Sequence, residues 1–328
     1  DLKASRVVAT LDEPISPGTN LVWCASFQAA WKALEELVGE AIETRPRSEL
    51  AEKLNGNDDP RPVIPESSLY ATAGWVPDGI ITTIHDELSK RFPEKELPTF
   101  PGITPDSFLA YAYLEVVLPF SVSYLQNQHP LIFHDSSGAE TELSSFGVFD
   151  LPQGAEHPLL KQPSVLYQYW DETSVKPTLT EFILDLDHAS APHQMILAAI
   201  DPVATLAETV SAAQEKIAAA DMTDTKLTTS DKILVPNIMW EITHDFDELC
   251  GKEIINDGME GQFIDVARQD NKFRLDCVGV TLQSQASIYK LYSSEYPAYY
   301  IFDRPFLLYI QSRETKIPYF AMWVDNAE

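Results

Sequence analysis

The stretch that most constrains the fold of this chain is its last quarter, residues 271–326. Phe306, Leu308 and Ile310 alternate with Leu307, Tyr309 and Gln311, which is the period of a β-strand. Residues 312–316 read as a polar turn, and residues 317–324 return as a second apolar run. This pattern predicts a buried β-hairpin.

A strand-like segment precedes the hairpin and changes phase at a glycine. One face carries Phe273, Leu275 and Cys277, and the other carries Arg274 and Asp276. After Gly279 the small or apolar set becomes Val280, Leu282, Ser284, Ala286 and Ile288. A phase change of one residue at a glycine indicates a bulge or a reversal. We therefore expect residues 279–288 to be a loop with the alternation of a strand.

The order of these C-terminal elements resembles that of a known superfamily. The residues that carry the resemblance are Phe302, Pro305, Phe306, Leu307, Ile310, Thr315, Lys316, Phe320, Val324 and Asn326. They follow the order of the serpin C-terminus, where a glycine hinge leads into a reactive loop, a motif F-x-x-P-F-L-x-x-I and a hairpin ending in V-x-N. The gap from Gly279 to Phe302 is also close to that of the serpins. The alternative is a plain β-hairpin in another β-containing protein.

Near the N-terminus, an amphipathic helix is predicted. Its apolar face comprises Phe27, Ala30, Trp31, Leu34, Leu37, Val38, Ala41 and Ile42. Ser26 is the expected cap, and Arg45-Pro46 the expected end. Residues 20–37 resemble the serpin segment that starts N-x-x-F-S-P and enters a central buried helix. Cys24 and Ala25 depart from its Ser-Pro, which lies beneath the opening between the central strands.

Further elements follow in an order that also resembles serpins. Residues 67–76 are expected to form a strand, and a helix is expected from Pro77-Asp78 to Arg91. Residues 108–118 resemble a long central strand, followed by Phe120 and Tyr124 at a crossing where the family has Phe and Trp. The region between Ala25 and Thr104 is short and dissimilar, so we expect it to be remodelled.

Three strands and a helix are predicted in the middle of the chain, at 165–170, 180–186, 194–200 and 203–219. The run MILAAIDPVATLAETV resembles a serpin strand ending in proline before a helix. The next segment fits a second serpin pattern through Val235, Pro236, Ile238, Trp240, Glu241, Phe246 and Leu249. Pro236 indicates an edge or bulge position.

Composition is that of a globular protein, with 45% hydrophobic and 10% aromatic residues. The formal net charge of −27 argues against nucleic acid and anionic membranes as partners. The excess of acidic residues is expected to form a solvated face or to reflect adaptation to salt. No apolar run approaches membrane-spanning length, so no membrane insertion is expected.

Cys24, Cys250 and Cys277 lie far apart without metal-ligand spacing, which favours buried thiols over a disulfide framework. The number of cysteines does not decide between an oxidising and a reducing compartment. The chain starts at Asp1 without Met or a leader, as expected of a mature secreted form or of an expressed version trimmed of its signal.

Three groups of polar residues are compatible with enzymatic or metal chemistry. They are the pairs His129–His134 and His188–His193 with Asp135 and Asp187, the carboxylates Asp185 and Asp187, and the run His244, Asp245, Asp247 and Glu248. Histidines five apart do not share one face, so surface histidines are favoured over a zinc site. Two carboxylates two apart on a strand share a face, as glycoside chemistry would require. The acidic run lacks the glycine of a calcium loop, which favours a solvated helix start.

The serpin resemblance implies a mechanical function. An inhibitory serpin offers its loop as bait, and after cleavage the loop inserts into the main sheet as an extra strand. The implied hinge and inward positions are Gly279, Val280, Leu282, Ser284 and Ala286, and the implied scissile region is Lys290, Leu291, Ser293 and Ser294. Because an inserting strand must slide between packed strands, the bulky Val280 and Leu282 argue against fast insertion.

The sequence therefore predicts a divergent serpin-like α+β protein, with a large mixed β-sheet, a small β-barrel and several covering helices in a single domain over residues 1–328. It is not expected to be an enzyme or to need a cofactor. Its function is either inhibition of a serine or cysteine protease or non-inhibitory binding, and a hydrolase with a histidine, carboxylate or metal site is the alternative. An extracellular or cell-envelope location is expected, with the cytoplasm as the second choice.

Overall fold

The structure is a computed structural model that describes residues 5–115, 119–152, 157–173, 176–222, 225–278 and 297–327. The helices are α1 (Ser26–Val38), α2 (Glu49–Gly56), α3 (Ile80–Arg91) and α4 (Leu206–Ala219). The strands are β1 (Ser5–Val8), β2 (Asn20–Cys24), β3 (Thr44–Arg45), β4 (Leu69–Trp75), β5 (Phe108–Leu114), β6 (Leu125–Gln126), β7 (Leu131–His134), β8 (Glu140–Leu143), β9 (Ser145–Val148), β10 (Ser164–Asp171), β11 (Thr178–Asp185), β12 (His193–Ala199), β13 (Lys232–Pro236), β14 (Ile238–Asp245), β15 (Lys252–Ile254), β16 (Phe263–Ile264), β17 (Arg268–Leu275), β18 (Tyr299–Ile301), β19 (Phe306–Ser312) and β20 (Pro318–Val324).

The chain divides into two compact units. Unit 1 comprises Asp1–Trp23, Val117–Glu241 and Lys272–Glu328, and unit 2 comprises Cys24–Val116 and Ile242–Asn271. Neither unit is contiguous in sequence, because the chain passes from one to the other several times. The single serpin-like domain expected over residues 1–328 stays a prediction.

Unit 1 is built on a seven-stranded sheet in the order β1-β2-β20-β19-β12-β11-β10. β1 and β2 are parallel, whereas the pairs from β20 through β19, β12 and β11 to β10 are antiparallel. The C-terminal hairpin β19–β20 pairs Phe306 with Val324 and Ile310 with Phe320. The sheet is mixed, and the predicted hairpin contributes two of its inner strands.

The burial of the inner strands explains their composition. Every residue of β12 and β19 is buried, as is every residue of β20 except Pro318. A strand covered on both faces needs a nearly continuous apolar run, which these segments have. Each fully buried large aliphatic or aromatic side chain contributes about 1.5–3 kcal/mol to this core.

Unit 1 also contains a four-stranded sheet in the order β18-β13-β9-β6. β18 runs parallel to β13, and β9 runs antiparallel to both β13 and β6. At Gly147 of β9, an added Cβ would lie 1.9 Å from the carbonyl oxygen of Ile233. The close approach of β9 to β13 therefore requires glycine at this position. Pro236 is the last residue of β13, and Asn237 separates it from β14.

Unit 2 is organised around the antiparallel pair β4–β5, on which both α1 and α3 pack. α3 contributes Ile80, Ile84 and Leu88 to a cluster with Tyr70 and Phe92. These α3 positions are spaced four apart and so form one face of the helix. The predicted strand at 67–76 and the predicted helix ending at Arg91 correspond to β4 and α3.

Helix α1 corrects two details of the sequence prediction. It ends at Gly39, which adopts a left-handed conformation with φ of 91° and donates its N–H to Glu35 O, so the helix stops well before Arg45-Pro46. Ser26 is not the cap, because Ala25 occupies the N-cap position and makes no side-chain cap hydrogen bond. The Ser26 hydroxyl instead accepts a hydrogen bond from Gln269 Nε2 at 2.8 Å.

The predicted α+β class with a large mixed sheet and several helices is confirmed. Across the described residues, the longest helix is α4 with 14 residues, and none of the helices combines the length and apolarity needed to cross a bilayer.

Candidate functional site

The predicted reactive loop, 279–294, lies within residues 279–296, outside the described part of the chain. This range contains all its predicted site residues: Gly279, Val280, Leu282, Ser284, Ala286, Lys290, Leu291, Ser293 and Ser294. The structure does describe both places where this segment joins unit 1. The candidate site is therefore built from these two attachment points, which we call the outgoing and the returning attachment.

The outgoing attachment is formed by β17, which pairs with β14. Phe273 of β17 stacks on Trp240 of β14, with ring centroids 5.7 Å apart, and on Phe320 of β20, with centroids 5.0 Å apart and ring planes 8° apart. All three side chains are buried. Phe273 and Leu275, two members of the predicted shared face, are buried, whereas the third, Cys277, lies beyond the end of β17 and is half-buried. The Phe273 ring holds this end of β17 against the C-terminal hairpin.

Beyond β17, the backbone is held at one further point. Tyr124 N donates to Cys277 O at 3.2 Å, and Val278 N donates to Asp276 Oδ1 at 2.8 Å. Tyr124 is itself buried, with its ring against Phe120 at a centroid distance of 4.7 Å, and burial raises its pKa. Val278 is 59% exposed, so the chain leaves the core at this residue.

The returning attachment is made by backbone groups of residues 298–302. Asp231 Oδ1 accepts a hydrogen bond from Ala298 N at 2.7 Å, and Lys232 N donates to Ala298 O at 2.9 Å. Tyr299–Ile301 then forms β18 beside β13. Phe302 N donates to Leu234 O at 2.9 Å, so the chain is tied to β13 at both ends of β18.

Buried aromatic rings support the returning attachment. Phe182 contacts Tyr300 and Phe302 edge-on, at 5.3 Å and 5.0 Å, and Phe302 contacts Phe306 at 5.1 Å. The Tyr300 hydroxyl donates to Gln168 Oε1 at 2.8 Å, and burial raises its pKa. Phe302 and Phe306 are motif residues of the sequence resemblance, and their role is to fix where the chain re-enters the core.

One edge of β17 is open to pairing with a further strand. Among the strands that the structure describes, β17 is hydrogen-bonded only to β14, and the two form a two-stranded sheet. An edge strand presents unpaired N–H and C=O groups to which another strand can be added. The outgoing attachment therefore ends in a strand that has capacity for one more partner.

The carboxylates considered for glycoside chemistry have structural partners. Asp185 is 1% exposed, and its Oδ2 accepts hydrogen bonds from Arg313 Nη1 at 3.0 Å and Gln194 Nε2 at 2.9 Å. Asp187 is 5% exposed, and its Oδ2 accepts from both the N and the Oγ of Ser121 at 3.0 Å. Both carboxylates are thus buried against protein donors and stabilise the turns of unit 1.

The histidine pairs are not brought together with carboxylates in one site. His188 Nδ1 lies 3.1 Å from Gln162 O, whereas His193 is buried against the Tyr319 hydroxyl. His134 lies 3.7 Å from an exposed Glu140, and His129 is exposed. Among the residues that the structure describes, no group of three or more His, Cys, Asp or Glu side chains is placed to hold a metal ion.

The acidic run near residue 244 differs from its prediction. Arg268 binds Asp245 through Nε at 2.7 Å and Nη2 at 2.9 Å. Residues 247–250 form a turn rather than the start of a helix. Phe246 precedes the turn, and its ring is buried against Phe27, with centroids 4.1 Å apart.

Two surface cavities lie in unit 1. The first, of about 410 Å³, is lined by Tyr167, Tyr169, Thr180, Glu181, Asp201, Lys216 and Arg304. The second, of about 540 Å³, is lined by residues around the returning attachment, including Asp231, Lys232 and Tyr299. Sequence reasoning missed Asp231, Arg304 and Arg313. No local pattern marks them, since each acts on residues distant in the sequence.

No protein-family model and no curated protein sequence matches the chain. Solved structures do match. They include thyroxine-binding globulin in complex with thyroxine, at 13% identity over 94% of this chain and 93% of that one, with a TM-score of 0.53. Human glycosylated kallistatin matches at 14% identity over 95% and 92%, with a TM-score of 0.53, and native protease nexin-1 with heparin at 12% over 94% and 92%, with a TM-score of 0.56.

These structures are serpins, and the likeness extends over more than nine-tenths of both chains in each comparison. The predicted resemblance covered about the C-terminal two thirds, so the structural likeness also includes the N-terminal part that sequence reasoning expected to be remodelled. Since identity is 12–14%, the likeness bears on the fold and not on a particular activity. The fold of this chain is a divergent form of the serpin fold.

Proposed function

We propose that this chain is a serpin-fold protein without catalytic activity of its own, and that residues 279–294 are a reactive loop recognised by a serine or cysteine protease. The observation that carries the proposal is the pair of attachment points, at Val278 and Ala298. Each is held by buried aromatic rings and backbone hydrogen bonds. Residues 279–296 number 18 and can span up to about 60 Å when extended, which is ample for bait presented to a protease.

The free edge of β17 supports a second step. After cleavage near Ser293 or Ser294, residues from Gly279 onward remain connected to β17. They can fold back as an added strand only if their inward side chains fit beside strands that are already packed. Ser284 and Ala286 fit this requirement, whereas Val280 and Leu282 are larger and slow the insertion. The proposed inhibitor is therefore slow, and part of the bound protease cleaves the loop and dissociates.

Limited proteolysis followed by thermal unfolding tests this proposal. A low ratio of trypsin or elastase should cut first between residues 289 and 294, as mapped by mass spectrometry, and the cut protein should then melt at a higher temperature. First cuts outside 279–296 would overturn the loop assignment. Cutting inside the loop with no change in melting temperature would support the loop as a protease substrate and would contradict its insertion into a sheet.

Matched variants separate insertion from cutting. Val280→Thr with Leu282→Ala should accelerate the rise in melting temperature after cleavage, because smaller side chains pass more easily between packed strands. Gln283→Ala is the control and should leave the rate unchanged, because Gln283 lies between Leu282 and Ser284 in sequence and so belongs to the opposite face of the alternation. Equal rates for both variants would contradict the inward assignment.

A non-inhibitory binding protein is the second candidate function. The bulky Val280 and Leu282 favour it, and one of the similar structures is described as a globulin complex with thyroxine. In this case the cut protein should gain no stability, and no stable complex with a protease should survive denaturing electrophoresis. An extracellular or cell-envelope location goes with both candidates, and detection of the protein only in cytosolic fractions would contradict it.

A further inference from the structure

The smaller cavity of unit 1 combines charged and aromatic side chains from two strands, one helix and two connecting segments. It has a volume of about 410 Å³ and is lined by Tyr167 and Tyr169 of β10, Thr180 and Glu181 of β11, Asp201 after β12, Lys216 of α4, and Arg304 before β19. This volume is within the range of small-molecule sites. The residues before β19 and after β12 are brought beside β10 and β11 by the order of the seven-stranded sheet.

Part of the charge in the cavity is neutralised internally. Glu181 Oε2 accepts hydrogen bonds from Lys216 Nζ at 2.7 Å and from the Tyr167 hydroxyl at 3.1 Å. Lys216 Nζ also lies 5.0 Å from the centre of the Tyr167 ring. This ion pair forms a wall whose net charge is zero.

Arg304 is unusual among the arginines of this acidic chain. Seven of the nine arginines bind a carboxylate, namely Arg6, Arg45, Arg47, Arg61, Arg268, Arg274 and Arg313. Arg91 is bonded to backbone carbonyls and lies over the ring of Tyr70. Arg304 Nη2 donates to Thr180 O, which holds the guanidinium at the cavity. Within the described part of the chain, no carboxylate forms an ion pair with it.

The cavity also contains a negatively charged side chain, Asp201, that a ligand can bind. Asp201 is exposed, and its carboxylate takes part in no ion pair or hydrogen bond among the described residues. Tyr169 is 56% exposed and offers an aromatic face beside these groups. The cavity therefore presents a cation and an anion that form no ion pair within the described part of the chain, together with an aromatic wall, and the charge of Arg304 also acts on the neighbouring Asp303.

We infer that this cavity binds a small zwitterion that carries a carboxylate and an ammonium group, such as a free α-amino acid. The ligand carboxylate accepts charge-assisted hydrogen bonds from the remaining N–H groups of Arg304, and the ammonium group donates to Asp201. Its side chain lies against Tyr169, where aromatic side chains are favoured.

Charge balance favours a zwitterion over an ion of one sign. A simple anion would be repelled by a chain of net charge −27 and would leave the Asp201 carboxylate without a cationic partner. A simple amine would pair with Asp201 but would leave the Arg304 guanidinium without an anionic partner. A zwitterion satisfies both charges and is neutral overall, so the field of the protein does not oppose its approach.

Calorimetric titration of the purified chain with phenylalanine and alanine tests the inference, with sodium acetate and methylammonium chloride as the single-charge probes. We expect saturable binding of phenylalanine, weaker binding of alanine, and at least tenfold weaker binding of each single-charge probe. Arg304→Gln and Asp201→Asn should each weaken phenylalanine binding at least tenfold. Arg47→Gln removes an exposed arginine of unit 2 and should leave binding unchanged.

Each contrary result overturns the inference. Acetate binding as tightly as phenylalanine would make the cavity a plain anion site. Unchanged affinity in either the Arg304 or the Asp201 variant, in protein whose melting curve is unaltered, would show that binding occurs elsewhere. Absence of saturable binding by both amino acids would reject the site. None of these outcomes depends on the reactive-loop proposal.

Discussion

Asn20 and Asn326 are joined by two hydrogen bonds across 306 positions of the chain. Asn326 N donates to Asn20 Oδ1 at 2.9 Å, and Asn20 Nδ2 donates to Asn326 O at 2.7 Å. Asn20 Oδ1 also accepts from Asp325 N at 2.7 Å. Asn20 begins the pattern near the N-terminus, and Asn326 ends the pattern at the C-terminus. The hydrogen bonds between them explain why each pattern contains an asparagine. A fully buried amide satisfies the backbone that follows the last strand.

Asn20→Ala should lower the free energy of unfolding by about 3 kcal/mol or more, because each buried backbone group left without a partner costs about 1–3 kcal/mol. Urea unfolding followed by circular dichroism measures the loss. Asn57→Ala is the control, since Asn57 is exposed and makes one side-chain hydrogen bond, to Gln28. An equal effect of the two substitutions would show that the Asn20 contacts do not stabilise the fold.

Arg313→Met should lower the free energy of unfolding by about 3–5 kcal/mol, because it leaves the buried charge of Asp185 without its counter-ion. Adding Asp185→Asn should restore part of the loss, since a neutral amide costs less to bury than a charge. The measurement is the unfolding free energy of both variants. The exposed pair Arg47–Glu52 provides the control, and Arg47→Met should leave stability unchanged within error.

Gly147→Ala should destabilise unit 1 strongly. The added Cβ would meet the backbone of Ile233 at 1.9 Å, so β9 and β13 must separate and lose ladder hydrogen bonds. Thermal unfolding measures the effect. Gly56→Ala is the matched control, because its Cβ meets nothing within 4 Å and alanine favours the helix by about 0.5–1 kcal/mol. A small effect at both positions would contradict the close approach.

His193 should make stability depend on pH. Burial lowers its pKa below the ordinary value of about 6.5, so at pH values between the two pKa values the unfolded chain binds more protons than the native one. Stability is therefore retained above about pH 6.5 and falls as the pH is lowered through the native pKa. Chemical unfolding at pH 7 and pH 5 should show a larger loss in the parent chain than in His193→Gln. His188→Gln, at an exposed position, should behave like the parent.

Elements whose pattern is local were predictable from the sequence. The hairpin β19–β20, the strands β10 to β12 and helix α4 correspond to periodic runs of apolar residues, because periodicity depends only on neighbours along the chain. The end of α1 was predicted wrongly although a local signal exists. Gly39 is the usual residue for a left-handed helix end, and the apolar residues at 41 and 42 concealed it.

The candidate site was only partly predictable. The motif beginning at Phe302 located the point where the chain joins β13, whereas the loop predicted from the phase change at Gly279 lies outside the described residues and stays a prediction. The partner that ties down Ala298 is Asp231, 67 positions away, and no pattern in the sequence links the two. The same holds for Asp185 and Arg313, which the sequence offered as unrelated polar residues.

By itself, the sequence determined the periodic strands β10 to β12, helix α4 and the buried C-terminal hairpin, whereas the reactive loop at 279–294 stays a prediction. Only the tertiary structure decided that Asp185 and Asp187 are buried structural carboxylates, that Ser26 binds Gln269 instead of capping α1, and that Arg304 donates to Thr180 O. The physical reason is that periodic burial is encoded by near neighbours, whereas the partner of a buried polar group depends on which distant backbone the fold places beside it.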